Sequence, residues 1–439
     1  MKKTLLAGVA LAVTMACTPI MGATALARDY VIHAGHLIDG VNAGERSNVS
    51  ILVHDDQITA VQDGFVTPAG AEVVDLSQGT VMPGLIDAHV HLTLDLTKGN
   101  ALLQSVTHSA FDETLDGVGN ARLTLLAGFT SVRDVGGDTA VVVALKRAQK
   151  AGTIPGPRMW VSGSILSPTG GHGDPANGFD PALAKPEWQD GIVDGPDEAM
   201  KKVREHFREG VDLIKIVPSG GVASVGDDPQ AQLMTDAEIR AVVETAHTLH
   251  LPVAAHAHGA QAIDHASAIG VDSIEHGSFA TPASYAIMKQ HGTYLVPTLI
   301  AGATVVEFAQ KHPELLGPSM AEKALAVGPI MAKNLYGAWK AGVKIAFGTD
   351  AGVYHHGQNA REFELMVKAG MPAADALRSS FTGAATLIGE SRIGAIRPGA
   401  FADIVATDKD PLADITELQR VRFVMQGGRI VKDHGEPRI

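Results

Sequence analysis

The sequence predicts an α/β fold, a (β/α)8 (TIM) barrel over residues 83–393, with a small β-sandwich domain to which both ends of the chain, 28–82 and 394–439, contribute. Three observations predict it. Short apolar stretches in the middle of the chain alternate with helical segments, and many are entered through a glycine, as in "AGFTSVRDVGG", "EGVDLIKIVPSGG", "IGVDSIEHGS", "HGTYLVPTLI" and "AGVKIAFGTDAG". β-Branched runs broken by Gly, Asp and Pro fill both ends. No GxGxxG phosphate loop follows the first central strand, which disfavours an open dinucleotide-binding sheet.

In chain order, residues 1–27 come first, with Lys2 and Lys3 before an apolar run that closes on Ala25-Leu26-Ala27. That is the pattern of a cleaved signal peptide, so an exported chain, periplasmic or secreted, is expected. Cys17, the only cysteine, lies inside this leader, and a mature chain without it forms no disulfide. Thr14 stands where a lipoprotein box wants a large aliphatic residue, which disfavours lipidation. "DYVIHAGHLIDG", "SNVSILVHDDQITAV" and "AEVVDLSQGTVMPG" then read as strands of the small domain.

In the central region Gly128, Gly210, Gly270, Gly292 and Gly342 sit where helices want a left-handed cap. Thr235 to Glu238 forms a capping box. "LIDAHVHL", "PRMWVSGSIL" and "LPVAAHAHG" bring the strand total to eight. At the C-terminal end, "ADIVATDKDPL" and a hairpin around Gly427-Gly428 return to β structure. The formal charge of -13 and the lack of a basic run exclude a nucleic-acid partner. No apolar run after the leader reaches the roughly 20 residues of a membrane span.

A barrel of this kind carries its chemistry at the C-terminal ends of its strands. The first strand presents Asp87, His89 and His91 at alternate positions, so the two imidazoles share a face. The fourth carries Lys215, the fifth His256 and His258, the sixth His276, and the eighth Asp350. Taken singly, a strand histidine is commonly a satisfied core residue, a buried lysine is salt-bridged, and an aspartate caps a helix. Five strands bearing such groups at the same ends have little structural purpose and read together as a ring of metal ligands.

Lys215, set among Leu213, Ile214 and Ile216, is disfavoured as a cation. A neutral amine can react with carbon dioxide to give a carbamate, an anionic ligand with two oxygens able to bridge two metals. Two metals so held would activate water and polarise a carbonyl.

With these residues in place, "PGLIDAHVH", "GFTSVRD", "TGGHGD", "IKIVPSGGV", "AHAHG", "SIEHG" and "FGTDAG", in this order, resemble the amidohydrolase superfamily over essentially the whole mature chain. They are most similar to the imidazolonepropionase-like clade, which includes Xaa-Pro dipeptidases, carboxypeptidases and ochratoxin-hydrolysing amidohydrolases. The resemblance implies two divalent ions, expected to be zinc. His89, His91 and Asp350 would hold one, His256 and His276 the other, with carboxylated Lys215 bridging them. It also implies that Asp350 shuttles the proton, that His258 touches substrate and acts beside Asp350, and that the enzyme is a homo-oligomer. Lys215 argues for amide hydrolysis over deamination.

His172, in the Gly-rich loop after the third strand, and Arg133, after the second, are candidates with His258 to bind a substrate carboxylate as cations, although Arg133 can equally pair with an acid. Tyr354, His355 and His356 would line the pocket or be solvated, and the methionines of the helical segments are assigned to the core. The expected reaction is release of a C-terminal amino acid from an N-acyl amino acid or small peptide, ochratoxin A being one such amide. The alternatives are an Xaa-Pro dipeptidase, a ring-opening hydrolase or lactonase, and a non-catalytic scaffold, the last disfavoured because no ligand position is lost.

Overall fold

The computed structural model describes residues 29–42, 44–183 and 185–439. The expected leader, with Cys17, lies outside the described residues. Four strands open the chain: β1 (Asp29–Leu37), β2 (Arg46–His54), β3 (Gln57–Asp63) and β4 (Glu72–Pro83). Eight central strands follow: β5 (Leu85–Val90), β6 (Phe129–Asp134), β7 (Arg158–Val161), β8 (Ile214–Ile216), β9 (Val253–Ala257), β10 (Ser273–His276), β11 (Tyr294–Val296) and β12 (Lys344–Ile345). The last four are β13 (Ile404–Thr407), β14 (Phe423–Gln426), β15 (Arg429–Asp433) and β16 (Glu436–Pro437).

The central strands occur at all eight expected places, but their ladder is not one continuous ring. β5-β6-β7 form one parallel sheet and β8 to β12 another. Isolated bridges link the two sheets at both seams, Leu166 with Ile216 and Val90 with Ala351. There the backbone joins through Leu166 N–H to Lys215 O (2.9 Å) and His91 N–H to Ala351 O (2.8 Å). Leu166 and Ala351 lie past the ends of β7 and β12, in loops that carry site residues.

The chain ends build one continuous hydrogen-bonded ladder, ordered β16-β15-β14-β13-β4-β1-β2-β3. Its joint is β4, which pairs parallel with β1 through most of its length and antiparallel with β13 at its end (Val81 opposite Ala406). At the far edge Gln57 of β3 bridges back to Phe401, just before β13, so the ladder folds over on itself around a common core. Close approach needs glycine here, because a Cβ on Gly35 would sit 2.2 Å from Ser77 O. A separate core including Ile32, Val49, Ile51, Ile404 and Phe423 lies on this sheet. Arg158 at the start of β7 fastens the sheet to the central strands, donating to both Asp403 oxygens at 2.9 and 3.2 Å.

The local signals hold. Gly210, Gly270, Gly292 and Gly342 cap their helices in the left-handed region, with φ of 96°, 113°, 75° and 82°. Glu238 N–H donates to Thr235 Oγ1 and Thr235 N–H to Glu238 Oε2 (3.3 and 2.7 Å). Between β11 and β12 the chain makes a long excursion through helices Leu299–Lys311 and Pro318–Ala341. These cross closely at Gly302 and Gly328, where a Cβ would meet Met331 Sδ and Val306 Cγ2 respectively, each at 2.4 Å. No helix among the described residues is long and apolar enough to cross a membrane.

Candidate metal centre

His89, His91, Lys215, His256, His258, His276 and Asp350 all line one cavity of about 500 Å³. The ligating atoms of His89, His91 and Asp350 lie within 4.8 Å of one another, as do those of His256, His258 and His276. Asp350 Oδ1 is 3.5 Å from His89 Nε2 and 3.3 Å from His91 Nε2.

The nitrogens turned away from these groups are already engaged, which fixes the ring orientations. His89 Nδ1 donates to Glu275 Oε2 (2.7 Å) and His91 Nδ1 to Gly136 O (2.9 Å), leaving both Nε2 atoms for an ion. His256 is the reverse: its Nε2 faces Gly220 O at 3.3 Å, leaving Nδ1. His276 Nδ1 bonds Thr298 Oγ1 at 2.7 Å. Burial, reinforced by neighbouring imidazoles, lowers the pKa of His256 and His276 well below the ordinary value, and the neutral form is the one that ligates. Burial alone would raise the Asp350 carboxyl, but His89 and His91 hold it well below the usual range. These residues could hold a metal ion.

Lys215 is 2% exposed, and burial brings its amine down to about 8 against the pull of Glu275 and Asp350. Three site residues, His276, Thr298 and Asp350, have φ of 69°, 50° and 60°, a conformation rare outside glycine and costing about 1 to 3 kcal/mol each. At His276 the consequence is specific. Glu275 is in register with His256, so alternation would send His276 to the opposite face; the left-handed turn brings both inward.

Arg133 requires correction. It is buried but absent from the cavity wall, and its guanidinium donates to Ala88 O (2.6 Å), Ser273 Oγ (3.1 Å) and Glu275 Oε1 (2.8 Å). It holds Glu275, which in turn orients His89. Burial would raise the Glu275 carboxyl, yet Arg133 and His89 keep it well below the ordinary range. Glu275→Gln should therefore lower stability by about 3 to 5 kcal/mol, the effect of breaking a buried pair. It should also weaken metal binding by roughly 10- to 100-fold. Urea unfolding and metal titration of the variant check both, and unchanged metal affinity would remove Glu275 from this role.

His172 and His258 do line the cavity, but not as cations. Burial lowers His172 to about 4 and His258 to about 3, so at neutral pH each offers hydrogen bonds, not charge. Tyr354, His355 and His356 are not on the cavity wall: Tyr354 is buried, His355 bonds Asp95 Oδ2 (2.8 Å) and His356 bonds Leu94 O (3.0 Å). Among the helical methionines, Met331 is buried in the core and Met320 packs against a smaller buried cluster, and both also border the cavity. Met320 and Met331, with Val305, Phe308 and Val327, form an apolar cavity wall in the excursion before β12.

Asp87 and Thr298 are further residues whose roles the sequence left unread. Asp87 accepts from Thr349 Oγ1 (2.6 Å), Asn359 Nδ2 (2.8 Å) and the N–H groups of His89 and Thr349 (both 3.1 Å), tying the Asp350 loop to β5. Burial pushes its carboxyl up to about 6 against these donors. A carboxylate within an apolar strand was the available signal.

Parallel strands flanked by helices, with a histidine-carboxylate cluster at their C-terminal ends that could hold a metal ion, define an α/β protein of the enzyme class. The chain belongs to the amidohydrolase family, whose model matches residues 80–431. It is 32% identical over 447 residues to an ochratoxinase from Aspergillus niger, covering 95% of this chain and 89% of that one. The crystal structure of a Xaa-Pro dipeptidase with bound methionine superposes with a TM-score of 0.87 at 37% identity, covering 92% of this chain and all (100%) of that one. The A. niger ochratoxinase structure gives 0.80 at 29% identity, covering 93% and 96%. The protein is a hydrolase acting on amide bonds.

Proposed function

We propose that the eight central strands act as a single (β/α)8 barrel holding two divalent ions, and that the enzyme releases a C-terminal amino acid from N-acylated amino acids with a bulky apolar acyl group, ochratoxin A among them. The observation that carries this reading is the cavity itself, which joins a polar base at His89, His91, Lys215 and Asp350 to an apolar wall at Val305, Phe308 and Met331. The imidazole and carboxylate donors suit zinc, and the ions would supply polarisation of the amide carbonyl and activation of water.

The chain's residues do the rest. His89, His91 and Asp350 would hold one ion and His256 and His276 the other. Lys215, whose amine is substantially neutral near pH 8, would take up carbon dioxide, its nitrogen bonding the carbon and losing a proton, to leave an anionic carbamate able to serve as a ligand. Asp350 receives a proton from the attacking water and returns it to the departing nitrogen. His258, on the cavity wall with Nδ1 held by Ser278 Oγ at 2.7 Å, touches substrate.

Among the described residues, Lys215 is the only Lys or Arg lining the cavity. A substrate carboxylate is therefore met by neutral hydrogen bonds, each contributing about 0.5 to 1.5 kcal/mol, and the free acid should be preferred to its carboxamide by only about tenfold. The test is kcat/KM for an N-acyl-phenylalanine, its carboxamide and an Xaa-Pro dipeptide on metal-loaded protein, with chelated protein as control. Equal rates for acid and carboxamide would remove carboxylate recognition. Strong preference for Xaa-Pro would favour the second reading, a dipeptidase, which the similarity to the Xaa-Pro dipeptidase structure supports.

A further inference from the structure

His172 is clamped on three sides. One face of its ring stacks on His256, with centroids 4.4 Å apart and planes 27° apart. Gly221 lies against the ring so closely that a Cβ there would be 2.4 Å from Nδ1. The ring's Nδ1 is 2.7 Å from Ser224 Oγ.

Behind Ser224 the hydrogen bonds run in one direction. Ser224 Oγ is 2.5 Å from Asp227 Oδ1, and a carboxylate only accepts, so the single hydroxyl proton is given to Asp227. Ser224 Oγ must then accept from His172, which places a proton on Nδ1. Asp227 is held in turn by Gly221 N–H on Oδ2 (2.8 Å) and by Lys323 Nζ on Oδ1 (2.9 Å). Lys323 also donates to Ser224 O (2.6 Å) and Asp227 O (3.2 Å). Lys323 belongs to the helix Pro318–Ala341, which supplies Val327 and Met331 to the apolar cavity wall.

We propose that Ser224, Asp227 and Lys323 are positioning residues that keep the proton of His172 on Nδ1 and present the lone pair of its Nε2 to the cavity as an acceptor for the substrate's amide N–H, thereby coupling the polar end of the substrate site to the helix of its apolar wall. Ser224→Ala removes only the hydroxyl link, and Ser224→Thr restores it. Lys323→Met breaks the chain at the wall helix.

The direct readout is the ring 15N–1H correlation spectrum of histidine-labelled, metal-loaded protein, with His172→Gln identifying the signal. In the wild type His172 should show protonated Nδ1. In Ser224→Ala and Asp227→Asn that signature should be lost or averaged between the two nitrogens, and in Ser224→Thr it should return. An unchanged His172 signature in both Ser224→Ala and Asp227→Asn overturns the proposal.

Its kinetic consequence rests on the amide hydrolysis proposed above; the hydrogen-bond chain does not. Ser224→Ala should raise KM for the N-acyl amino acid about tenfold, the size of one lost hydrogen bond, with kcat within about twofold and metal content unchanged. Lys323→Met should shift KM in the same direction. A fall in kcat with unchanged KM would point to a structural role and overturn the positioning assignment. If the wild type cleaves no N-acyl amino acid, the reaction proposed above fails while the spectra still decide the role of Ser224, Asp227 and Lys323.

Discussion

Lys215→Ala is expected to remove nearly all turnover, by roughly 10³-fold or more, because the loss of a bridging anion forfeits several kcal/mol of transition-state stabilisation. Metal content should fall with activity, and small carboxylic acids, filling the space of the carbamate, should restore part of both. The pH dependence has a defined sign. Burial brings the amine down to about 8, and the neutral amine is the form that takes up carbon dioxide. Reconstitution of apoprotein with metal at a fixed concentration of dissolved carbon dioxide should therefore quicken as pH rises toward 8 and level off above it. Full activity in the variant with unchanged metal would dispose of the carbamate.

Asp350→Asn should lower kcat by roughly 10² to 10⁴, the range for a lost general acid-base group. An amide oxygen can still face the ion, so most of the metal should remain while the proton acceptor is gone. The pH-rate profile is the discriminating measurement: the limb that reports the ionised carboxylate should disappear. An unaltered profile would move the proton shuttle to another residue. The backbone adds a control, since Asp350 sits at φ 60°, which Asn tolerates better than most residues.

Much of the ligand ring was legible because its signals are local. Alternation puts His89 with His91 and His256 with His258, and a glycine at a helix C-terminus marks where the next strand begins. Arg133 was left undecided between a substrate and an acid for the opposite reason. Its partner Glu275 is 142 positions away, and nothing near Arg133 says whether its long side chain reaches a substrate or an acid. Glu275 itself was hidden by His276, whose left-handed φ breaks the alternation that sequence reasoning relies on. The apolar wall escaped because helix stripes such as Val305 with Phe308, or Val327 with Met331, have the same pattern whether they face a core or an open cavity. The pairing that joins the two chain ends into one ladder was illegible because its partners are far apart in the chain, β4 meeting β13 with Val81 opposite Ala406.

That pairing also sets an order of assembly. Until β13 arrives, β4 has β1 on one side and an unfilled row of backbone donors and acceptors on the other, and the whole run from 84 to 403 must be made before the gap can close. An exposed strand edge waiting on a distant partner is a slow, non-local contact and a template for association between nascent chains. Refolding of this protein should therefore be limited by docking of the last strands and sensitive to protein concentration, and truncations before residue 404 should aggregate even though every metal ligand is present.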